Sequence, residues 1–312
     1  MLLFWIALGV AVFLITACLV ISYICFRMAF YVPKRKGPPS DALEFPQGSV
    51  YLQYREKISQ WIQETRKLPR EVMTVTSFDG LTLYGNYYEY APGAPIELMF
   101  HGYRSTAERD LSGGVQRCFK LGRSALIVDQ RCCGRSEGNV ITFGIHEHRD
   151  CLTWLEHMRK RFGEDVKVIL TGLSMGAGTV MIASGAPTLP RNVIGVLADC
   201  GYSSPKDIIQ KVIRDMKLPP TLSYPFVKLG ARIYGHFDLE ETSPVEALKS
   251  SKVPVLLIHG EDDDFVPCDM SRLCYESCTS KKRLVTIPGA GHGLSYPTDP
   301  QGYLTALQEF FS

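Results

Sequence analysis

The fold is constrained most by an alternation of short apolar runs with helical patterns, which starts at residue 72. The strand candidates are Val72–Ser77, Leu81–Tyr90, Ile96–Phe100, Ala125–Asp129, Val166–Thr171, Val193–Ala198, Val253–His259 and Leu284–Ile287. Asp79-Gly80 joins the first two as a hairpin turn. The later runs lack polar alternation, which is typical of strands buried on both faces. The pattern therefore predicts an α/β fold in three layers, with a mostly parallel eight-stranded sheet and crossover helices.

One connection is longer than the others. About fifty residues separate the strand that ends near Ala198 from the strand that begins at Val253, too many for a simple crossover. The stretch contains Leu218-Pro219-Pro220, Tyr224-Pro225-Phe226 and Phe237. We expect a helical cap inserted over residues 203–250. Its apolar side chains either line a substrate pocket or seal the cap onto the core.

The amino-terminal run from Leu2 to Phe26 contains no charged side chain. Its length of about 25 residues exceeds the roughly 20 that a helix needs to cross a bilayer. A signal peptide would have a basic start, a shorter apolar core and a small-residue cleavage site, and none of these is clear. We therefore predict that residues 1–32 form a retained transmembrane anchor.

Basic residues follow this span directly, at Arg27 and at Lys34-Arg35-Lys36. The positive-inside rule predicts that they stay in the cytoplasm, so the chain would be a single-pass protein of the cell membrane with a cytoplasmic domain. The net charge of +2 and the absence of a long basic run give no argument for nucleic acid binding.

Residues 33–71 are expected to join the anchor to a domain of residues 72–312. The first part, up to about residue 47, is rich in Pro, Gly, Ser and charge and is typical of a linker. Apolar residues then recur at helical spacing in Tyr54, Ile58, Trp61 and Ile62. This amphipathic helix either lies on the lipid surface or packs on the domain, and we favour packing.

The residues with the clearest chemistry form the turn Gly172-Leu173-Ser174-Met175-Gly176. An apolar strand precedes the turn and a helical pattern follows it. Flanking glycines allow a tight strand-to-helix turn that lifts the Ser174 hydroxyl clear of the sheet. Serine is a weak nucleophile and needs a base, a group that orients this base, and donors for the oxyanion that forms.

Later residues supply candidates for these roles. Glu261-Asp262-Asp263-Asp264 follows a predicted strand, so a carboxylate lies at the edge where active sites form, but three successive aspartates leave its identity open. His292 lies in a glycine-rich loop after the final strand and is the candidate base. The oxyanion donors are expected to be the N–H groups of Met175 and of Tyr103, in the loop that follows Phe100.

The order Ser, Asp, His with an upstream His-Gly loop resembles the α/β-hydrolase superfamily over about residues 72–312. The segment Ile258–Pro267 is similar to the recurrent pattern H-G-x-x-D-x-x-V-P, which selects Asp263 as the acid. The combination with an anchor resembles membrane-tethered bacterial serine hydrolases. The resemblance implies a cofactor-free acyl-enzyme mechanism. We expect a carboxylic ester substrate, small or lipid-like, with an apolar acyl part.

One departure from this superfamily concerns the loop Asp129–Ser136, where Cys132 replaces a usual glycine. Cys132 and its neighbour Cys133 are expected to serve packing, although Cys133 near a pocket or a redox-sensitive pair are alternatives. The 10 cysteines otherwise show no zinc-site spacing and suit a reducing compartment.

Rival functions remain open at this point. A zinc site at His146, Glu147, His148 and Asp150 is disfavoured because two histidines two apart on a helix point to different sides. A non-catalytic binding module on the same fold is disfavoured because every catalytic position is filled. A peptidase or an acyltransferase would use the same triad.

Overall fold

The computed structural model describes residues 1–33, 43, 45 and 48–311. The predicted linker therefore lies almost entirely outside the described residues. The strands are β1 (Glu71–Thr76), β2 (Thr82–Tyr88), β3 (Ile96–Phe100), β4 (Ser124–Asp129), β5 (Val168–Leu173), β6 (Val193–Asp199), β7 (Val255–Gly260) and β8 (Lys282–Ile287). They form one sheet in the order β1-β2-β4-β3-β5-β6-β7-β8. The β1–β2 and β2–β4 pairs are antiparallel and the other pairs are parallel. The predicted eight-stranded, mostly parallel sheet is confirmed.

Helices cover both faces of this sheet. They are α1 (Leu2–Ala29), α2 (Arg55–Lys67), α3 (Ala107–Lys120), α4 (Glu147–Phe162), α5 (Met175–Ser184), α6 (Pro205–Asp215), α7 (Pro220–Tyr234), α8 (Pro244–Leu248), α9 (Cys268–Ser277), α10 (Ser295–Thr298) and α11 (Pro300–Phe311), with a 3-10 helix at Ser49–Tyr54. Side chains of α4, α5, α8 and α9 share one core with one face of the strands. Side chains of α3 and α11 pack against the other face, so the three predicted layers are present.

The amphipathic helix expected near residue 60 is α2, and it packs on α3. Trp61 lies directly over Gly113, where an added Cβ would come within 2.6 Å of the indole ring. The Thr65 hydroxyl donates to the carbonyl oxygen of Ser112 at 3.3 Å, and Trp61 stacks on Tyr296 with ring centroids 5.2 Å apart. Of the two expectations for this helix, the structure therefore has the one in which it packs on the domain.

The apolar amino-terminal run forms α1, whose length and composition would let it cross a membrane. Its side chains are mostly exposed as far as Ile21, whereas Ser22 and Phe26 are buried. The last turns of α1 pack on α7, where the Tyr234 hydroxyl donates to the carbonyl oxygen of Leu19 at 3.1 Å. Phe30 is fully buried in the domain. The end of α1 is therefore built into the cap instead of standing apart from it.

Candidate active site

The backbone at Ser174 has the strained geometry that a sharp strand-to-helix turn requires. Ser174 has φ of +55° and links the end of β5 to the start of α5. A Cβ at Gly172 would collide with the backbone of Gly176, and a Cβ at Gly176 would collide with the carbonyl group of Phe100. Both positions therefore require glycine, and the turn holds Ser174 at the carboxyl edge of the sheet.

The structure brings the three predicted side chains together in one hydrogen-bonded row. The Ser174 hydroxyl donates to Nε2 of His292 at 2.9 Å. Nδ1–H of His292 donates to Oδ2 of Asp263 at 2.7 Å. These three residues come from the ends of β5 and β7 and from the loop after β8, so the parallel strands align them at one edge. A serine, a base and an orienting carboxylate in this order are able to activate the serine oxygen for attack on a carbonyl carbon.

Asp263 is the buried member of the three successive aspartates, and Asp262 and Asp264 are exposed. Its other oxygen, Oδ1, accepts from the backbone N–H of Phe265 at 3.0 Å and of Val266 at 2.8 Å. Burial alone would raise the pKa of this carboxyl group, but hydrogen bonds from histidine side chains and from the Val266 N–H lower the pKa to about 2. Asp263 is therefore ionised at neutral pH and accepts a hydrogen bond from Nδ1–H of His292.

A second histidine, His259, supports this carboxylate and was not identified from the sequence as a site residue. Its side chain is fully buried, and its Nε2 lies 3.2 Å from Oδ2 of Asp263 and 2.8 Å from the carbonyl oxygen of Val266. Its Nδ1 lies 2.6 Å from Oγ of Ser271. The H-G-x-x-D-x-x-V-P pattern carried a signal for this residue, because its first position places a histidine at the end of β7, four residues before the acid.

The predicted oxyanion loop lies beside Ser174. An added Cβ at Gly102 would be 3.6 Å from the Ser174 Cβ, and the Gly102 N–H donates to Oδ2 of Asp110 at 3.0 Å. Among the hydrogen bonds between described residues, none uses the N–H of Tyr103 or of Met175. These two N–H groups remain the predicted donors for an oxyanion.

Buried His101 and Gln130 fix the shape of this loop. The Gln130 N–H donates to Nε2 of His101 at 3.0 Å, and the Gln130 side chain donates to the His101 carbonyl oxygen at 2.6 Å. Burial lowers the pKa of His101, so the ring stays neutral and its Nε2 remains an acceptor. The Tyr103 side chain leaves the site, and its hydroxyl donates to the carbonyl oxygen of Ala29 in α1 at 2.8 Å.

A cavity of about 240 Å³ adjoins Ser174 and His292. Its walls come from the 3-10 helix, α2, α3, the ends of β5 and β6, and the segment from His292 to Tyr303. Tyr51 closes one side of it, and its hydroxyl donates to the carbonyl oxygen of His292 at 2.9 Å. The cavity is therefore covered by the segment that precedes β1, a part of the chain in which no substrate contact was predicted.

The cap does not line this cavity, and of the two expectations for its apolar side chains the structure fits the one in which they seal the cap onto the core. No residue of 203–250 is among the lining residues. Tyr224, Val227 and Phe237 are buried instead in a cluster with Phe26 and Phe30 of the anchor. The cap residues pack there because burying their apolar surface against the end of α1 is favourable. They seal the cap onto the core and the anchor.

Cys132 has φ of +69°, a left-handed conformation in which a glycine would be free of strain. This explains the glycine of the related families. Burial raises the pKa of the Cys132 thiol and raises the pKa of Cys133 to about 12, so both are neutral thiols. Cys133 is buried in the apolar cluster that contains Phe26 and Phe30, which fits the interpretation of packing. Both thiols also line a second and larger cavity near the end of α1, so the alternative of Cys133 beside a pocket fits as well.

The side chains of the rival zinc site do not converge. Nδ1 of His148 contacts the carbonyl oxygen of Gly144 at 2.9 Å, and Asp150 is paired with Arg131 at 2.6 Å. The carboxylate of Glu147 accepts hydrogen bonds from Thr142 and Gly144. In the described part of the chain, side chains able to bind a metal come together instead at Cys200, Asp263 and His292, two of which belong to the row with Ser174.

The chain is similar to hydrolytic enzymes in sequence and in fold. It matches the model of the alpha/beta hydrolase family over residues 98–306. The bifunctional esterase/perhydrolase DCH of Acinetobacter calcoaceticus is 23% identical over 272 residues, which cover 70% of this chain and 92% of that protein. YqkD of Bacillus subtilis is 26% identical over 191 residues, which cover 61% of this chain and 62% of YqkD, less than two thirds of its length.

Among solved structures, an esterase of Pyrococcus furiosus superposes with a TM-score of 0.64. It is 19% identical, and the match covers 89% of this chain and 99% of the esterase. At this identity the likeness is one of fold.

Proposed function

Because the chain belongs to the alpha/beta hydrolase family, we propose that it hydrolyses small carboxylic esters, with Ser174 as nucleophile, His292 as base and Asp263 as the acid that orients His292. The observation that carries this proposal is the row of two hydrogen bonds, from Ser174 to His292 at 2.9 Å and from His292 to Asp263 at 2.7 Å. The name of the related esterase DCH supports an ester as substrate.

The proposed reaction has two halves. In the first, His292 takes the proton of Ser174 as its oxygen attacks the ester carbonyl carbon, and the negative charge that forms on the carbonyl oxygen is held by the N–H groups of Tyr103 and Met175. The imidazolium then gives its proton to the departing alcohol. In the second half, His292 activates a water that attacks the acyl-enzyme, and the carboxylic acid leaves. Asp263 stabilises the positively charged ring in both halves.

A peptidase or an acyltransferase would use the same row of side chains, so the choice of an ester needs its own test. Purified protein would be assayed against ethyl esters and against amides of the same acids. We expect turnover of the esters at least 100-fold above that of the amides. Greater turnover of the amides would indicate a peptidase instead of an esterase. Transfer of the acyl group mainly to added alcohols, instead of to water, would indicate an acyltransferase.

The role of Ser174 is tested by covalent labelling with a fluorophosphonate probe. We expect the wild-type protein to be labelled and Ser174→Ala to lose both labelling and ester turnover, because no other side chain would be activated by His292. Ser184→Ala is the matched control, since Ser184 lies at the other end of α5 and its hydroxyl only donates to the carbonyl oxygen of Met181. Labelling of Ser174→Ala at the wild-type rate would contradict the assignment.

We further propose that α1 anchors the protein in the cell membrane with the domain in the cytoplasm. This rests on an apolar helix of 28 residues whose one charged side chain, Arg27, lies in its last turn, and on the basic residues Lys34, Arg35 and Lys36 that follow it in sequence. A fluorescent-protein fusion and an alkaline phosphatase fusion at the carboxyl terminus would be compared in bacterial cells. We expect fluorescence in the membrane fraction and no phosphatase activity. Phosphatase activity without fluorescence would indicate the opposite topology, with the domain outside the cytoplasm.

A further inference from the structure

The cavity beside Ser174 has a polar end that the proposed reaction does not use. This end is lined by Arg117, Thr171, Asp199, Tyr296 and Tyr303. Arg117 and Tyr296 are more than nine-tenths buried, and Arg117 Nε and the Tyr296 hydroxyl have no hydrogen-bond partner in the described part of the protein. A buried donor without a partner costs folding free energy, and a bound ligand that supplies an acceptor would recover it.

The charges around this end favour an acceptor as the ligand group. Glu97 is fully buried and forms ion pairs with both Arg117 and Arg123. Two guanidinium groups therefore share one carboxylate. Asp199 does not balance the second positive charge fully, because burial raises its pKa and its two oxygens already accept from Ser295 and Tyr303, each at 3.0 Å. The groups at this end of the cavity that lack a hydrogen-bond partner are therefore donors.

Apolar side chains form much of the remaining lining of this cavity, beside the charged Arg109 and Asp110. The apolar residues include Met99, Leu111 and Leu294, together with Trp61 of α2. A volume of about 240 Å³ is below the lower limit of common ligand pockets, about 300 Å³. The cavity suits a short chain and not a long one.

The acyl part of an ester fits this enclosed space better than the alcohol part. The alcohol leaves beside His292, and water must then reach the same place. That side is open, since Phe265 lies against the His292 ring with centroids 5.1 Å apart and is itself exposed. The acyl group remains on Ser174 until water arrives and therefore occupies the closed side.

We propose that the preferred acyl group is a short apolar chain that ends in an oxygen acceptor, a ketone or a carboxylate, bound by Arg117 and Tyr296. This inference rests on the proposed ester hydrolysis and names its substrate class. It replaces the fully apolar acyl group predicted from the cap by a chain that is apolar in its middle and polar at its end.

The test compares ethyl esters of equal size on the full-length enzyme in detergent. Ethyl 4-oxopentanoate differs from ethyl pentanoate in a ketone oxygen, and monoethyl succinate carries a carboxylate in place of the methyl ketone. We expect the kcat/KM of at least one oxygenated ester to exceed that of ethyl pentanoate by about tenfold, the size of one hydrogen bond. A preference for only ethyl 4-oxopentanoate would identify the oxygen acceptor of the acyl group as a neutral ketone, and a preference for only monoethyl succinate would identify it as a carboxylate. Equal kcat/KM values for all three would overturn the proposal.

Variants then connect the preference to the cavity. Tyr296→Phe removes the hydroxyl but keeps the ring that stacks on Trp61. We expect it to reduce the ratio of kcat/KM for the oxygenated ester to kcat/KM for ethyl pentanoate to about 2 or less. Tyr54→Phe is the control, because it removes a hydroxyl that contacts Thr298 outside the cavity, and the ratio should stay at the wild-type value. Arg117→Lys keeps the charge beside Glu97 but removes Nε, and is the second probe once circular dichroism has verified its fold.

Each outcome separates the two proposals. A ratio that neither Tyr296→Phe nor Arg117→Lys changes would place the acyl chain elsewhere and overturn the inference, while ester turnover and fluorophosphonate labelling would still support the proposed function. Loss of turnover on all esters together with loss of labelling of the wild-type protein would instead contradict the proposed function.

Discussion

Asp263 is the residue whose environment differs most from that of its neighbours in sequence. It is buried against His259 and His292, whereas Asp262 is exposed. We expect Asp263→Asn to lower kcat/KM by about 10³- to 10⁴-fold, because an amide cannot hold the required ring tautomer or stabilise the charged ring. Asp262→Asn is the matched control, and its kcat/KM should stay within about threefold of the wild-type value. This limit is well below the change of about tenfold that the loss of one hydrogen bond causes. Steady-state ester hydrolysis measures both variants. If Asp262→Asn had the larger effect, the acid would be Asp262 instead of Asp263.

The same carboxylate makes stability depend on pH. Its pKa in the folded protein, about 2, is lower than the ordinary value of 3.8, so the folded state binds the proton more weakly than the unfolded state. The resulting stabilisation is present above about pH 4 and is lost as the pH falls through 2, and it amounts to about 2 kcal/mol. We expect the difference in unfolding free energy between wild type and Asp263→Asn to shrink by this amount between pH 7 and pH 2, measured by urea denaturation. A difference independent of pH would contradict the ionised carboxylate.

At the residue scale, the sequence identifies side chains whose chemistry depends on local pattern. Ser174 is recognisable because glycines are needed within two positions on either side, and His292 because of its place after the final strand. The acid was ambiguous from the residues alone, and only the resemblance to a family pattern selected Asp263. Arg117 was not recognisable, because nothing in the helix that carries it indicates that its partner, Glu97, is a buried charge in the middle of a strand.

At the scale of elements, the contact of α2 with α3 closes the cavity. An added Cβ at Gly113 would lie 2.6 Å from the Trp61 ring, too close for any real contact. We expect Gly113→Ala to destabilise the protein by about 1–3 kcal/mol, the cost of overpacking a filled site. In a Trp61→Ala background the same substitution should be neutral or stabilise by up to about 1 kcal/mol, because alanine is the better helix former.

A double-mutant cycle of urea unfolding measures this coupling. The four proteins are the wild type, the two single variants and the double variant. Additive effects of the two substitutions would contradict the close packing of α2 on α3. A substitution of Gly9, in the exposed part of α1, is the control for the effect of alanine on a helix, since no atom lies within 4 Å of its added Cβ.

The elements themselves were predicted well, and so was the packing of α2 on the domain, but not the particular surfaces that the helices cover. Strands buried on both faces have a continuous apolar run. This run is visible in the sequence even when the neighbouring strands in the sheet are unknown. The periodicity of α2 revealed an apolar face but not what covers it, because lipid and protein satisfy such a face equally. The cap was located by its length, yet its apolar side chains were explained only when α1 was found against α7.

At the scale of the whole molecule, the end of α1 is a structural part of the domain that carries Ser174, Asp263 and His292. The ring of Phe30 contacts Phe143 and Phe237 with centroids 5.9 Å and 5.2 Å apart, and the carbonyl oxygen of Ala29 accepts from the Tyr103 hydroxyl in the oxyanion loop. Arg104, next in that loop, donates to the carbonyl oxygens of Met28 and Tyr31. The end of α1 is therefore connected directly to the residue that is proposed to bind the oxyanion.

Truncation separates the exposed apolar part of α1 from the part that packs on the domain. Deletion of residues 2–18 removes only side chains that pack little on the domain, and we expect it to keep the wild-type rate of fluorophosphonate labelling in detergent. Deletion of residues 2–32 removes Phe26 and Phe30. Loss of each large buried aromatic side chain costs about 3–5 kcal/mol, against a total stability of about 5–15 kcal/mol for a typical domain. This protein should therefore aggregate or unfold and lose labelling.

The single variant Phe30→Ala in the full-length chain distinguishes an effect on the site from general unfolding. It leaves α1 in the membrane but opens a gap beside Phe143, whose ring also stacks on Tyr103 with centroids 5.2 Å apart. We expect a labelling rate lower than wild type at a temperature where circular dichroism still reports a folded protein, because the oxyanion loop loses its support before the sheet does. If the protein lacking residues 2–32 were instead soluble and labelled at the wild-type rate, α1 would be a tether alone and the contact with Tyr103 would have no part in catalysis.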